Sequence, residues 1–387
     1  MTKALLMLTG GRGIPDMLMV KYLRPDITLT VTTKQGLGTA KHLQELVKAQ
    51  FGCKLEIQPV VHPYKEQDIK DACNRALDQY PNAEWIMNIT SAPKIVSIFA
   101  MDVARERDIP CWFLNTDEGE AISLAKDASV DHPIDHQKIF NATVQEYMSV
   151  YQRQYAIPKS AEYRKKAQFW YNIAQVLVQE PRLTHLFLSR LRQAQIGISQ
   201  YEPVTFTIDV QAKSLIQQLA VASLNVVTIN GESADTLECT IVDGEKREFL
   251  NGDWLEVYVW KEVEEAGFAQ DYQWGYKIFH KQDEYELDLA ITARGLLFIA
   301  ECKTDYDPFT RRSHYLDTID ANASLLGGAF VTKFFITNHP DPESIQSYAS
   351  FHQQAEQKKI RILTAQHLPN IGSILRDQVT NPTFSRI

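Results

Sequence analysis

Between Ala4 and Leu114, short apolar runs alternate with stretches of helical periodicity, and that alternation leaves few architectures open. Ala4 to Leu8, Ile27 to Thr32, Leu55 to Val61, Trp85 to Ile89 and Cys111 to Leu114 read as strands. Helices are predicted over Thr39 to Phe51, Gln67 to Gln79 and Pro93 to Arg107. Parallel strands need crossover connections, so this order predicts a largely parallel sheet with helices on both faces and ligands at the carboxyl ends of the strands. An α/β, Rossmann-like domain is expected over residues 1–150.

At 387 residues the chain has room for two or three such cores. Residues 151–249 change character. Phe169, Trp170, Ile173, Val176 and Leu177 repeat at helical spacing, Pro181 breaks the pattern, and Leu183 to Ala194 forms a second helix. Thr205 to Val210, a helix over Ala212 to Ala222, and a hairpin of Asn225 to Ile229 and Leu237 to Val242 around the turn Asn230-Gly231-Glu232-Ser233 complete a winged-helix-like connector. Residues 250–387 run helix, three strands, helix, strand, helix, strand. The formal charge of −8, its acidic excess concentrated after residue 250, excludes a surface that grips duplex nucleic acid throughout but not a localised site. No apolar run reaches the length of a membrane-spanning helix, so no membrane partner is expected. Five cysteines without a C-x-x-C pair support neither a disulfide framework nor a thiolate zinc site, and a cytoplasmic location is expected.

The last segment carries the chemistry. Tyr285, Leu287, Leu289 and Ile291 alternate with Glu286, Asp288 and Ala290, so one strand points carboxylates to one face. After the turn Thr292-Ala293-Arg294-Gly295, a second strand places Glu301 and Lys303 on one face; a two-residue turn would put Asp288 opposite Ile299 and diagonal to Glu301. Carboxylates at the end of an apolar strand are costly unless paired or bound to a metal. Asp288 and Glu301 are the expected ligands of Mg²⁺ or Mn²⁺, with Lys303 positioning or deprotonating the attacking water and offsetting transition-state charge. Glu256, on the helix opened by Asn251-Gly252-Asp253-Trp254-Leu255, is the fourth candidate catalytic residue, although Asp253-x-x-Glu256 also matches a helix capping box.

In the first segment, Thr9, Gly10, Gly11, Arg12 and Gly13 follow the first strand, but Asp16 stands where a dinucleotide fingerprint needs its third glycine. A nicotinamide or flavin cofactor is therefore not expected. The loop Asn88-Ile89-Thr90-Ser91-Ala92-Pro93-Lys94 joins a strand to a helix N-terminus, an anion-binding geometry in which Asn88, Thr90, Ser91 and Lys94 are candidate ligand residues; helix capping by Thr90 or Ser91 is the alternative. His132 and His136 are read as loop histidines, and Arg164-Lys165-Lys166, Arg182, Arg190 and Arg192 as a basic helix surface, solvated or facing a substrate. Arg311, Arg312 and His314 stand close enough to the second strand to meet a substrate phosphate, or simply open a helix.

Taken in order, helix Glu256, strand Asp288 and strand Glu301-Cys302-Lys303 resemble the PD-(D/E)xK restriction-like nuclease superfamily, with Leu287 in place of the proline. The Asn88 to Lys94 loop is similar to the N-x-T-G-G-T-K loop of CARF domains, matching at Asn88, Thr90 and Lys94 and departing at Ser91, Ala92 and Pro93. The whole chain resembles the single-CARF effector nucleases of type III CRISPR systems. That resemblance implies a CARF sensor over 1–150, a winged-helix-like connector over 151–249 and a restriction-endonuclease-like α/β nuclease over 250–387. It further implies activation by cyclic tetra-adenylate, a homodimer whose twofold axis matches that of the cyclic ligand, and metal-dependent cutting of single-stranded RNA, DNA or both. A ligand-responsive nucleic-acid-binding regulator with an inactive nuclease fold is the competing reading.

Overall fold

The computed structural model describes residues 2–380 except 126–133, 152–153, 156–157, 160, 162–163, 200–201, 281–282, 306, 311 and 329–330. His132 and Arg311 thus lie outside the described residues. The chain forms two compact units, the first comprising Met1–Gln154 with Thr292–Leu297 and the second Tyr155–Ile291 with Phe298–Gln378.

The first unit is built on five parallel strands, β1 (Lys3–Thr9), β2 (Ile27–Thr32), β3 (Leu55–Ile57), β4 (Glu84–Asn88) and β5 (Cys111–Asn115), with an antiparallel edge strand β6 (Glu120–Ala125). Their order is β3-β2-β1-β4-β5-β6. Helices α1 (Ile14–Leu23), α2 (Leu37–Phe51), α3 (Glu66–Asp78) and α4 (Lys94–Glu106) make the crossovers. β1 is central: Met7 pairs with Thr30 on one side and Asn88 on the other. The order reverses between β1 and β4, so the loops that leave those strands emerge together at the topological switch point where open α/β sheets bind ligands. α1 was not expected. Its residues Ile14 to Val20 are all buried, so the helix lacks the polar face that periodicity detects.

In the second unit, helices α5 (Ala167–Gln179) and α6 (Pro181–Ala194) meet at Pro181, which starts the later helix at its first position. A 3₁₀ turn (Val210–Ala212) leads into α7 (Lys213–Ala220). Strands β8 (Val204–Asp209), β9 (Thr228–Glu232) and β10 (Thr236–Ile241) form a sheet in the order β8-β10-β9. Asn230-Gly231 is not the hairpin turn. Both residues lie inside β9, facing a bulge at Glu238/Cys239, and the chain turns instead at Ser233, whose N–H and hydroxyl meet Thr236.

Helices α8 (Gly244–Asn251) and α9 (Asp253–Ala266) introduce the larger sheet of this unit. Strands β11 (Asp271–His280), β12 (Asp283–Ala293) and β13 (Leu296–Lys303) are followed by α10 (Arg312–Leu325), β14 (Val331–Thr337), α11 (Tyr348–Gln357), β15 (Ile360–Leu363) and α12 (Ile371–Thr380). The expected series stops at β15; α12 is additional. The short strand β7 (Gln154–Tyr155) extends the sheet beyond β11. From Leu287 to Cys302 every residue except Arg294 is buried, which is why this stretch reads as largely apolar sequence interrupted by Asp288 and Glu301.

Candidate active site

β12 and β13 are joined by Arg294-Gly295, both in left-handed backbone conformation, the geometry of a two-residue hairpin turn. Counting back from that turn places Asp288 across from Glu301 rather than across from Ile299. The pairing is shifted by two residues from the one the sequence suggested, because the turn is centred one residue later, on Arg294 and Gly295. Side chains directly opposite share a face of the sheet. Lys303 Nζ accordingly lies 2.9 Å from Asp288 Oδ2 and 2.8 Å from Glu301 Oε1. Asp288 Oδ2 also accepts the backbone N–H of Cys302 at 2.7 Å.

Glu256, one turn into α9, is 8% exposed and accepts the indole N–H of Trp274 on β11. The helix has Gly252 as its N-cap and no side-chain cap bond, so the capping-box role considered for Glu256 is not the one it plays. Burial, reinforced by Asp288 and Asp253, holds the Glu256 carboxyl well above the usual range. Burial and Asp288 push Glu301 up to about 7, against the pull of Lys303. Burial alone would lower Lys303, but Asp288 and Glu301 outweigh it and hold the ammonium above the ordinary lysine range. So paired, Lys303 is held as a cation beside both carboxylates.

Among the described residues, no three His, Cys, Asp or Glu side chains converge into a preformed metal cage. The pair Asp288/Glu301 nevertheless suits a hard divalent cation of the Mg²⁺ type, which is held through one or two carboxylates with water and substrate oxygens completing the shell. The Asp288 charge raises the proton affinity of both Glu256 and Glu301, the mark of a site short of positive charge.

Two neighbours of the site, Trp274 and Lys159, were not singled out in the sequence, and two more, Asp253 and Arg192, were read there in other roles. Trp274 fixes Glu256; Asp253 lies one turn before it; Lys159 approaches Asp253 Oδ1 and Glu286 Oε1 at 3.3 and 3.5 Å. Arg192, expected on a basic surface, instead donates to the carbonyl oxygens of Thr304 and Asn251 and to the Thr304 hydroxyl. It thereby ties the residue after Lys303 to the entrance of α9. Lys166 pairs with Glu245 at 3.0 Å.

In the first unit, Gly11, Arg12, Thr90, Ser91 and Lys94 line a cavity of roughly 720 Å³ together with apolar groups such as Ile98, Met101 and Phe113. Thr9, Gly10, Gly13 and Asn88 do not line it but shape it. Thr9 meets the Thr30 hydroxyl at 2.6 Å, and a Cβ on Gly13 would press on Val150. The Asn88 side chain accepts from the Thr90 N–H and hydroxyl and donates to Asp16 at 2.8 Å, while Thr90 Oγ1 accepts from the Leu114 N–H at 2.8 Å. Neither Thr90 nor Ser91 caps α4, which begins after Pro93 without a side-chain cap bond, so its first amides remain available to an anion.

Asp16 is fully buried beneath these loops, and burial, partly offset by Thr9, Ser91 and Asn88, pushes its carboxyl up to about 8. The folded state therefore holds this proton more tightly than the unfolded chain, whose carboxyl titrates near ~4. The associated stability is complete below that range and is lost as pH rises through about 8. Melting temperatures of wild type should decline across pH 5 to 9, with the decline flattened in Asp16→Asn; parallel curves for the two proteins would contradict the assignment.

No curated protein matches the sequence. Residues 243–381 match the family model of the Card1-like endonuclease domain. Protein VC1899 from Vibrio cholerae is 15% identical with a TM-score of 0.76, and 98% of each chain is covered. Can2 from Sulfobacillus thermosulfidooxidans, solved in complex with cyclic tetra-adenylate, is 17% identical with a TM-score of 0.70, again over 98% of each chain. At such identities the likeness is one of fold, and it bears out the expected α/β class. Residues 243–381 are thus similar to the Card1-like endonuclease domain, within a chain that shares its fold with VC1899 and Can2.

Proposed function

We propose that this chain is a cyclic-oligoadenylate-activated, metal-dependent nuclease that cuts RNA, DNA or both in CRISPR-linked defence. The observation that carries the reading is the buried Asp288–Lys303–Glu301 arrangement inside an endonuclease-family domain. Asp288 and Glu301 would hold Mg²⁺ or Mn²⁺, which supplies Lewis-acid polarisation and an activated water when bound. Lys303 is held as a cation beside the phosphate oxygens that gain charge in the transition state. Glu256, fixed by Trp274, lies at the edge of this set to orient water or share the ion.

The division into sensor (1–150), connector (151–249) and nuclease (250–387) belongs to the same proposal. Support for the ligand comes from the first-unit cavity, with Arg12 and Lys94 on an otherwise apolar lining suited to phosphates and bases, and from the cyclic tetra-adenylate held by Can2. Ile95, Ile98, Phe113 and Ile122 are exposed on α4, β5 and β6, which supports a homodimer that covers them and shares one cyclic ligand. Among the described residues no helix is long and apolar enough to cross a membrane.

The test is cleavage of single-stranded RNA, single-stranded DNA and supercoiled plasmid with Mn²⁺ or Mg²⁺, with and without cyclic tetra-adenylate. Cutting that requires both metal and activator is the expected outcome. Salt-sensitive binding with no cutting under any condition would favour the regulator reading instead.

A further inference from the structure

Lys303 neutralises only the inner part of a larger acidic row. Asp253 and Glu256 on α9, Glu286 and Asp288 on β12, and Glu301 on β13 contribute five carboxylates to the same region of the second unit. Glu286 and Asp288 stand two apart on a strand and so share its face. Glu286 adds to the forces that raise Glu301, and Asp253 to those that raise Glu256. The outer carboxylates are therefore electrically continuous with the expected metal pair.

Lys159 meets them. Its Nζ lies 3.3 Å from Asp253 Oδ1, 3.5 Å from Glu286 Oε1 and 6.0 Å from the centre of the Trp274 ring, whose N–H holds Glu256. The backbone of β11 is built to admit it. Gly275 takes a φ of +60°, and a Cβ there would fall 2.6 Å from both Cγ and Cδ of Lys159. A side chain at position 275 would displace the lysine stem. Glu256 heads the charges that hold Lys159 protonated against its own burial, followed by Asp253 and Glu286.

We propose that Lys159 is a positioning residue, a built-in counter-cation that occupies the outer carboxylates and confines the divalent ion to Asp288 and Glu301. The inference rests on the metal-dependent reading above. Without this lysine, Asp253 and Glu286, which it now bridges, would offer a second hard-oxygen site of the kind that Mn²⁺ accepts.

The experiment counts Mn²⁺ ions bound per full-length chain in the absence of nucleic acid, by the electron paramagnetic resonance signal of free Mn²⁺ and by calorimetry. Wild type and Lys159→Arg are expected to bind one ion. Lys159→Met, which keeps the stem over Gly275, is expected to bind two, and adding Asp253→Asn to it should restore one. Lys159→Gln provides a second neutral variant should Lys159→Met fail to fold. One ion in the neutral variants at unchanged affinity overturns the role of Lys159 while leaving the metal site intact, and two ions in wild type overturn it equally. No bound ion in wild type defeats the metal reading itself and the inference with it.

Discussion

Replacing Lys303 with methionine should lower the rate of activated cleavage by at least about 100-fold, the scale lost when one preorganised charge facing a transition state is removed. The same change removes the cation shared by two buried carboxylates, at 2.9 and 2.8 Å, so loss of activity has to be separated from loss of fold. The protonation of Glu301 provides the separation. Glu301 already titrates at about 7 with Lys303 present, and removing the ammonium raises its proton affinity further. A carboxyl whose folded pKa is raised stabilises the fold below its unfolded value and loses that contribution as pH rises through the folded one. The variant should therefore melt close to wild type at pH 5.5 and fall progressively behind it toward pH 8. Single-turnover cleavage toward pH 8, where Glu301 is ionised and able to hold a metal, scaled by the folded fraction from a melt at the same pH, then reports chemistry alone. A folded Lys303→Met protein that keeps more than a tenth of wild-type activity there would show that the lysine serves only to pair the carboxylates.

The parts of this site that were legible in the sequence are those that follow a strand's two-residue period. Asp288 and the Glu301/Lys303 pair interrupt otherwise apolar strands, and burying charge there is costly enough to mark them as deliberate. Their register was not legible, because Thr292-Ala293-Arg294-Gly295 allows more than one turn and only the left-handed backbone at Arg294 and Gly295 selects between them. Asn230-Gly231 shows the converse, a strong turn dipeptide placed within a strand beside a bulge. The buried helix α1 was silent because it lacks a polar face. Lys159 and Arg192 were invisible as site neighbours for another reason: Lys159 reaches a residue 94 positions away and Arg192 residues 59 and 112 away, and no local pattern records which carboxylate or carbonyl a long cationic side chain will meet. In the first unit, the glycines and the Asn88 to Lys94 loop were readable as loops at the carboxyl ends of the strands, where a cavity lies. The buried Asp16 to Asn88 bond between them was not.

Alanine at Gly10 should raise the concentration of cyclic tetra-adenylate needed for half-maximal cleavage at least about tenfold, whereas alanine at Gly11 should change it by less than about threefold; a tenfold change corresponds to about 1.4 kcal/mol. The contrast follows from the backbone. A Cβ on Gly10 would overlap the carbonyl oxygen of Ser91 and lie 3.1 Å from its carbonyl carbon, while a Cβ on Gly11 meets nothing within 4 Å. Neither partner at Gly10 is a movable side chain, so the two loops must part. The Ser91 loop resists, because Asn88 is tied to Asp16 and Thr90 to the Leu114 amide. Forcing extra atoms into such packing costs roughly 1–3 kcal/mol, enough for the expected shift if it falls on the ligand-competent arrangement. The maximal cleavage rate at saturating activator should persist, since the Asp288, Glu301 and Lys303 side chains are untouched. Equal half-activation in the two variants would mean that the close approach of these loops is a packing feature and not part of the ligand site. A lowered maximal rate with unchanged half-activation would instead place Gly10 in the transmission of the signal and not in its reception.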